Sequence, residues 1–161
     1  MTLPCLILAA GFGTRMGALT ADRPKPLIPV AGKPLLDHAL TVAEGAATAP
    51  IFVNAHYRAD QIAAHLASAR AEVLIEEPDI LDSGGAVNTA LTHVPDAPHI
   101  ATLNADCVWR GPNPLAERLG AFEPERMGAL LLLAPPERVV GRTLGGDFAM
   151  DPDRRLSFDK A

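Results

Sequence analysis

At 161 residues the chain is long enough for one domain with a core of its own, and 48% apolar with 20% charged residues excludes a disordered or fibrous polymer. A formal net charge of −5 excludes a general nucleic-acid surface or a polybasic membrane patch. Any anion site must therefore be local, built from a few placed cations and main-chain N–H groups.

Short runs of Leu, Ile and Val, bounded by Gly, Pro or polar residues, predict buried strands at 4–9, 51–55, 72–76, 100–104 and 129–134. Between them, amphipathic stretches predict helices at 35–46, 59–69, 85–92 and 114–122. Ile62, Ala63 and Leu66 give the second helix an apolar stripe, and Ser83 is placed to cap the third. This βαβα order predicts an α/β fold, a three-layer sandwich whose mostly parallel central sheet is flanked by helices. Residues 147–150 and 156–159, around Asp151-Pro152-Asp153-Arg154-Arg155, predict a closing β-hairpin. With no repeat and no interdomain linker, 1–161 reads as a single domain. The N-terminus lacks a basic leader and no apolar run approaches the ~20 residues of a membrane span, so the expectation is a cytoplasmic protein with no membrane partner. Cys5 and Cys107 lie in apolar stretches without CxxC spacing and read as buried, reduced thiols.

The first strand runs into Gly11-Phe12-Gly13-Thr14-Arg15-Met16-Gly17 at its carboxyl end, where open α/β sheets bind ligands. Gly11 and Gly13 remove side chains, letting main-chain N–H groups approach an anion. Arg15 adds a permanently charged fork suited to phosphate oxygens, and a triphosphate is the guest these groups fit. The loop is not a dinucleotide fingerprint, because Met16 replaces the third glycine and four prolines between 20 and 34 forbid the required helix. It is not a P-loop either, since Gly-Lys-Ser/Thr is absent. A nicotinamide-dependent oxidoreductase is excluded with the first of these. Further along the chain, Pro24-Lys25-Pro26 fixes the backbone on both sides of one ammonium.

Leu8-Ala9-Ala10-Gly11-x-Gly13-Thr14-Arg15-Met16, together with Pro24-Lys25-Pro26-Leu27, resembles the signature of the sugar-phosphate nucleotidyltransferases. Leu81-Asp82-Ser83-Gly84-Gly85-Ala86 is similar to that family's nucleobase loop, and Leu103-Asn104-Ala105-Asp106 to its strand-end metal motif. Gly145-Gly146-Asp147-Phe148 and Phe158-Asp159-Lys160 resemble its sugar-side hairpin and acidic-lysine pair. The Gly-Asp-Phe-Ala-x-Asp run at 146–151 is most like the N-acetylmuramate α-1-phosphate uridylyltransferases of cell-wall recycling.

The resemblance implies a Rossmann-like nucleotidyltransferase fold and a reaction joining a nucleoside triphosphate, UTP in preference, to a sugar 1-phosphate with release of pyrophosphate. It implies that Arg15 and the loop amides meet the β- and γ-phosphates, that Lys25 lies near the α-phosphate, and that Asp106 holds Mg²⁺. Leu8, Ala9, Ala10, Gly11, Gly13, Thr14, Gly84, Gly85 and Asn104 complete the implied nucleotide site, and Gly146, Asp147, Asp159 and Lys160 the sugar-phosphate side. Asp106 could instead cap the next segment, Gly84 and Gly85 could form a plain helix-start turn, and Asp159-Lys160 could be a solvated pair. Glu77 and Asp82 flank the base loop without an assignable contact, while His56 and His65 belong on surfaces or helix faces. Ala105 replaces the family's usual glycine, and its methyl would crowd the nucleotide slightly. The chain ends where family members normally continue into a further acceptor segment, so a nucleotide-binding module without turnover is the alternative, as is a transferase for glucose or mannose 1-phosphate. A monomer or a homodimer fits either reading.

Overall fold

A computed structural model describes residues 2–141 and 148–158 of the chain. Two compact units divide it, Met1–Ala121 and Phe122–Ala161.

The first unit begins with β1 (Cys5–Leu8), two 3-10 turns at Thr14–Thr20 and Lys25–Leu27, and a small hairpin of β2 (Pro29–Val30) and β3 (Lys33–Pro34). It continues through α1 (Leu35–Gly45), β4 (Ile51–Ala55), α2 (Ala59–His65), β5 (Glu72–Ile75), α3 (Ser83–Thr92), β6 (Ala101–Asn104) and α4 (Pro114–Leu119). The sheet order is β5-β4-β1-β6, with every neighbouring pair parallel. Strands β1 and β4 lie in its middle and are covered on both faces, which is why both are apolar apart from Asn54 of β4.

Side chains alternate across the sheet with the two-residue period of a strand. Cys5 and Ile7 of β1, with Ile51, Val53 and Ala55 of β4, pack on Leu36, Ala39, Leu40 and Ala43 of α1, Ile62 of α2 and Leu115 of α4. Leu6, Phe52 and Leu74 point the other way, onto Ala86 and Ala90 of α3. The result is the expected helix–sheet–helix sandwich. Burial pushes the Cys5 thiol up to about 12, against a lowering hydrogen bond with Thr48, so this cysteine is inert packing.

Several expectations change. The edge strands β5 and β6 are only partly buried, with Ile75 53% exposed. The cap of α3 is Asp82, whose carboxylate accepts from Gly85 N at 2.7 Å from an extended backbone, while Ser83 is already the first helical residue. Helices α2 and α4 stop at His65 and Leu119, short of the predicted ends, as the backbone leaves helical geometry at Leu66 and meets Gly120. The apolar run 129–134 forms no strand: Leu131, Leu132 and Leu133 are exposed and no described strand pairs with them. A strand makes no hydrogen bonds within itself, so apolar patterning without a partner cannot create one.

In the second unit, β7 (Ala149–Met150) and β8 (Leu156–Ser157) form the closing hairpin, with Ala149 opposite Ser157. Asp151 accepts from Arg155 N across the turn, and the Phe148 and Phe158 rings meet at 5.1 Å. Among the described residues no helix is long and apolar enough to cross a membrane.

Leu36 is fully buried at the centre of the larger cluster, whereas Leu19 is 57% exposed. Leu36→Ala is expected to lower unfolding free energy by about 2–5 kcal/mol, and Leu19→Ala by less than about 0.5 kcal/mol, in urea titrations followed by circular dichroism.

Candidate active site

The strand order decides where a ligand can lie. From β1 the chain moves to β4 and then β5 on one side, and only afterwards lays β6 against the other edge of β1. The loops leaving β1 and β6 therefore diverge at their carboxyl ends, which opens the crevice characteristic of a topological switch point. Leu8 at the end of β1 pairs with Asn104 at the end of β6, so the glycine loop and the segment carrying Asp106 start side by side.

The glycine loop is held from below by side chains absent from the motif. Phe12 packs edge-on against His56 at 5.3 Å and leans on Tyr57 at 5.9 Å. Tyr57 donates its hydroxyl to Thr20 O, and Arg58 Nη2 donates to Ala21 O. Thr20, itself buried, donates to Gly17 O at 3.1 Å, closing the loop on itself. Gly13 adopts φ +65°, and a Cβ there would stand 2.9 Å from Lys25 Cβ. Both the left-handed backbone and the close approach of Lys25 thus demand glycine. At Gly11 no protein atom lies within 4 Å of a would-be Cβ, so its bareness faces open space.

Pro24 and Pro26 are buried, but Lys25 between them is only half-buried and projects from the anchored backbone. Its ammonium donates to Asp106 Oδ2 at 2.5 Å, joining two residues 81 positions apart. Burial pushes the Asp106 carboxyl up, but the hydrogen bond and charge of Lys25, with a contact from the Cys107 thiol, outweigh it and hold the group below its usual range. Cys107, half-buried where full burial was expected, is raised in turn, by burial and then by the Asp106 charge, and is no nucleophile at neutral pH.

Gly13, Lys25 and Asp106 are thus in a single row of contacts, with Leu8 and Asn104 paired beneath it. Ala9 and Ala10 are buried, and Gly11 and Thr14 are exposed along the loop. Arg15 is exposed and, among the described residues, makes no hydrogen bond or ion pair. Ala105 is 2% exposed and belongs to the core cluster, so its methyl packs inward and does not crowd the crevice. Gly84 and Gly85 form the first turn of α3, where a Cβ on Gly85 would press on Leu81 Cβ at 3.1 Å. Gly146, Asp147, Asp159 and Lys160 lie outside the described residues.

Sequence reasoning missed Asn54 and Glu76, each 4% exposed. Asn54 Oδ1 accepts from Ala9 N at 2.7 Å, Asn54 Nδ2 donates to Glu76 Oε1 at 2.8 Å, and Glu76 Oε2 accepts from Leu81 N at 2.8 Å. They connect the glycine loop to the loop of Gly84 and Gly85. The available signal was a polar residue near the end of each of two apolar runs, 51–53 and 73–75.

Among the described residues no three His, Cys, Asp or Glu side chains cluster to enclose a metal ion. Asp106 offers one carboxylate at the crevice, and one carboxylate with substrate phosphates and water is a donor set Mg²⁺ accepts. A hollow of about 810 Å³ between Glu44 and Glu72 sits at the amino ends of β4 and β5, away from these groups. Chemistry, not volume, marks the site.

Residues 5–139 match the family described as the MobA-like NTP transferase domain. The chain is 36% identical to an N-acetylmuramate alpha-1-phosphate uridylyltransferase of Caulobacter vibrioides, across 97% of this chain and 68% of that protein. It is similar in structure to HddC from Yersinia pseudotuberculosis complexed with GMP-PN, with TM-score 0.57 and 28% identity over 65% of this chain and 48% of that one. A UDP-glucose pyrophosphorylase complexed with UDP-glucose shares the fold at TM-score 0.61 and 22% identity, over 75% of this chain and 53% of that one. The chain spans about two thirds of the Caulobacter protein and about half of each solved chain. With its parallel sheet, its glycine loop at the switch point and a match running from β1 past α4, the chain belongs to the MobA-like NTP transferase domain family.

Proposed function

We propose that this chain, as one catalytic domain, transfers a nucleotidyl group, UMP in preference, from a nucleoside triphosphate to a sugar 1-phosphate and releases pyrophosphate. The acceptor we favour is N-acetylmuramate 1-phosphate, the sugar named in the Caulobacter relative, which puts the reaction in peptidoglycan recycling. The observation that carries the reading is the contact row Gly13–Lys25–Asp106 at the β1/β6 crevice.

In this reaction an oxygen of the sugar phosphate bonds to the α-phosphorus while the bond from that phosphorus to the bridging oxygen of pyrophosphate breaks. The nucleophile is already anionic at neutral pH, so no general base is required. The protein must supply alignment of two polyanions and stabilisation of charge at the α-phosphate. The bare glycine loop presents main-chain N–H groups to the triphosphate. Arg15, unengaged and exposed, swings onto the β- and γ-phosphates as a fork. Lys25 leaves Asp106 for the α-phosphate, and its proline-fixed backbone limits the entropy lost in that exchange. Asp106, released from Lys25, would hold a magnesium ion together with phosphate oxygens, and the ion supplies charge neutralisation of the polyphosphate. Gly84 and Gly85 let the base approach main-chain groups, and Gly146, Asp147, Asp159 and Lys160 are assigned to the sugar phosphate.

Pyrophosphate release with Mg²⁺, UTP and N-acetylmuramate 1-phosphate, run beside the other triphosphates and glucose and mannose 1-phosphates, tests the assignment. Release with UTP and the muramate sugar is expected. Release with a different pair keeps the transferase and replaces the substrate. Triphosphate binding without release from any pair reduces the chain to a nucleotide-binding module. Lys25→Ala should lower kcat/KM by roughly 100-fold or more, the cost of one preorganised charge-stabilising donor. Arg15→Ala should raise KM for the triphosphate roughly tenfold with a smaller effect on kcat, as expected for ~1.5–3 kcal/mol of charge-assisted ground-state binding.

The resting ion pair has its own signature. Because folding lowers the Asp106 carboxyl below its ordinary 3.8, the stability it adds is fully present above that value and lost as pH falls through the folded one. Asp106→Asn should therefore melt below the wild type by a constant margin between pH 5 and 8, and the two should converge in acid. With Asp106 half-exposed the margin is small, about 1 kcal/mol or less.

A further inference from the structure

We propose that Asn54 and Glu76 are positioning residues that hold the triphosphate loop and the base loop in register, so that selectivity for the base depends on a polar link that touches neither base nor phosphate. The proposal rests on the nucleotide-site reading of the crevice and concerns how that site is kept in shape.

Asn54 and Glu76 are buried in the face of the sheet that otherwise presents Leu6, Phe52 and Leu74 to α3. An amide and a carboxylate cost free energy there unless every polar atom is satisfied. The link satisfies them in a directed row, from Ala9 N through Asn54 and Glu76 to Leu81 N. Glu76 is further pinned by its own backbone, which donates to Ala55 O at 2.8 Å and accepts from His56 Nδ1 at 2.8 Å. Ala9 is the residue on which the glycine loop begins. Leu81 directly precedes the Asp82 cap of α3 and packs where a side chain on Gly85 would lie.

Both ends of the row are main-chain N–H donors, so the row must begin and end on acceptors. Its central contact then needs one donor and one acceptor. Among amides and ionised carboxylates, only one of each meets that condition, in either order. Asn54 with Gln at 76 sets two donors against each other, at the centre or at Leu81. Asp at 54 with Glu76 sets two acceptors against each other when both are ionised, and mends the contact only by taking up a proton that removes one charge. Asp at 54 with Gln at 76 restores every contact with the polarity reversed and the net charge unchanged.

The experiment compares wild type, Glu76→Gln, Asn54→Asp and the double variant Asn54→Asp/Glu76→Gln in the full chain. Dissociation constants for UTP, CTP, GTP, ATP and inorganic tripolyphosphate are measured by calorimetry with Mg²⁺. The readout is the ratio of affinities, because the swapped order moves the carboxylate toward Ala9 and lowers all phosphate binding together. Each single variant is expected to lose tenfold or more of the preference for UTP over the other triphosphates. The double variant is expected to return to within threefold of the wild-type preference. Singles that melt earlier but keep the wild-type preference make the row a stabilising contact only and overturn the proposal. Should the singles fail to fold, the double variant decides alone: folded with the wild-type preference supports the row, and folded without it overturns it. A wild type that binds all four triphosphates no better than tripolyphosphate overturns the base-loop reading itself and the proposal with it, a result distinct from a selective wild type whose variants are equally selective.

Discussion

The site depends on one constraint of topology, the reversal of strand order beside β1. Because β4 and β5 are added on one side of β1 and β6 on the other, the chain cannot cover the gap between the β1 and β6 loops at their carboxyl ends. Both strands bordering the gap are held by the same core. Cys5 and Ile7 lock β1 between helices, and Ala105, the residue after β6, is buried in the same cluster. Asp106 is the next residue, so a buried methyl sets the position of an exposed carboxylate. The larger core is thus part of the site's geometry as well as of its stability.

The two cations proposed to meet the triphosphate stand under opposite conditions. Lys25 sits between two buried prolines and pairs with Asp106. Arg15 is exposed and without a described partner. A fixed ammonium suits the atom where charge changes during reaction, since misplacement by an ångström there is costly. A free guanidinium suits capture of a flexible polyphosphate tail, where reach matters more than fixed position. The net charge of −5 leaves these two groups to work against the background field of the chain. In the proposed reaction the Lys25–Asp106 contact makes binding an exchange of partners, which costs less than exposing either charge alone.

The parallel sheet, the glycine loop and the Lys25 and Asp106 positions were legible because each has a local signature: an apolar run, a glycine at a left-handed turn, a proline-fixed lysine, an acid ending a strand. The limits were those of local information. Residues 129–134 are patterned like a strand, yet a strand exists only through a partner. Ser83 and Asp82 are both good caps, and the choice between them was made by the extended backbone at Asp82. Phe12, His56 and Tyr57 shape the loop through ring contacts spanning more than forty positions, which no motif encodes. Asn54 and Glu76 escaped notice for the same reason: each appears as a polar blemish at the end of a strand until the other, and the two main-chain donors, are placed beside it.

The order of that pair matters as much as its composition. An amide at 54 with a carboxylate at 76 and the reverse order satisfy the same hydrogen bonds, but they place the negative charge differently. In the observed order the amide meets Ala9, where the triphosphate loop begins, and the carboxylate lies on the far side against Leu81. A site for a polyanion gains by this choice, since each added ångström between like charges weakens their repulsion, and burial makes that repulsion stronger than it would be in water. A purely structural row has no reason to prefer one order. If the glycine loop binds phosphates as proposed, the polarity found here tethers it through a buried carboxylate that stands as far from them as the link allows.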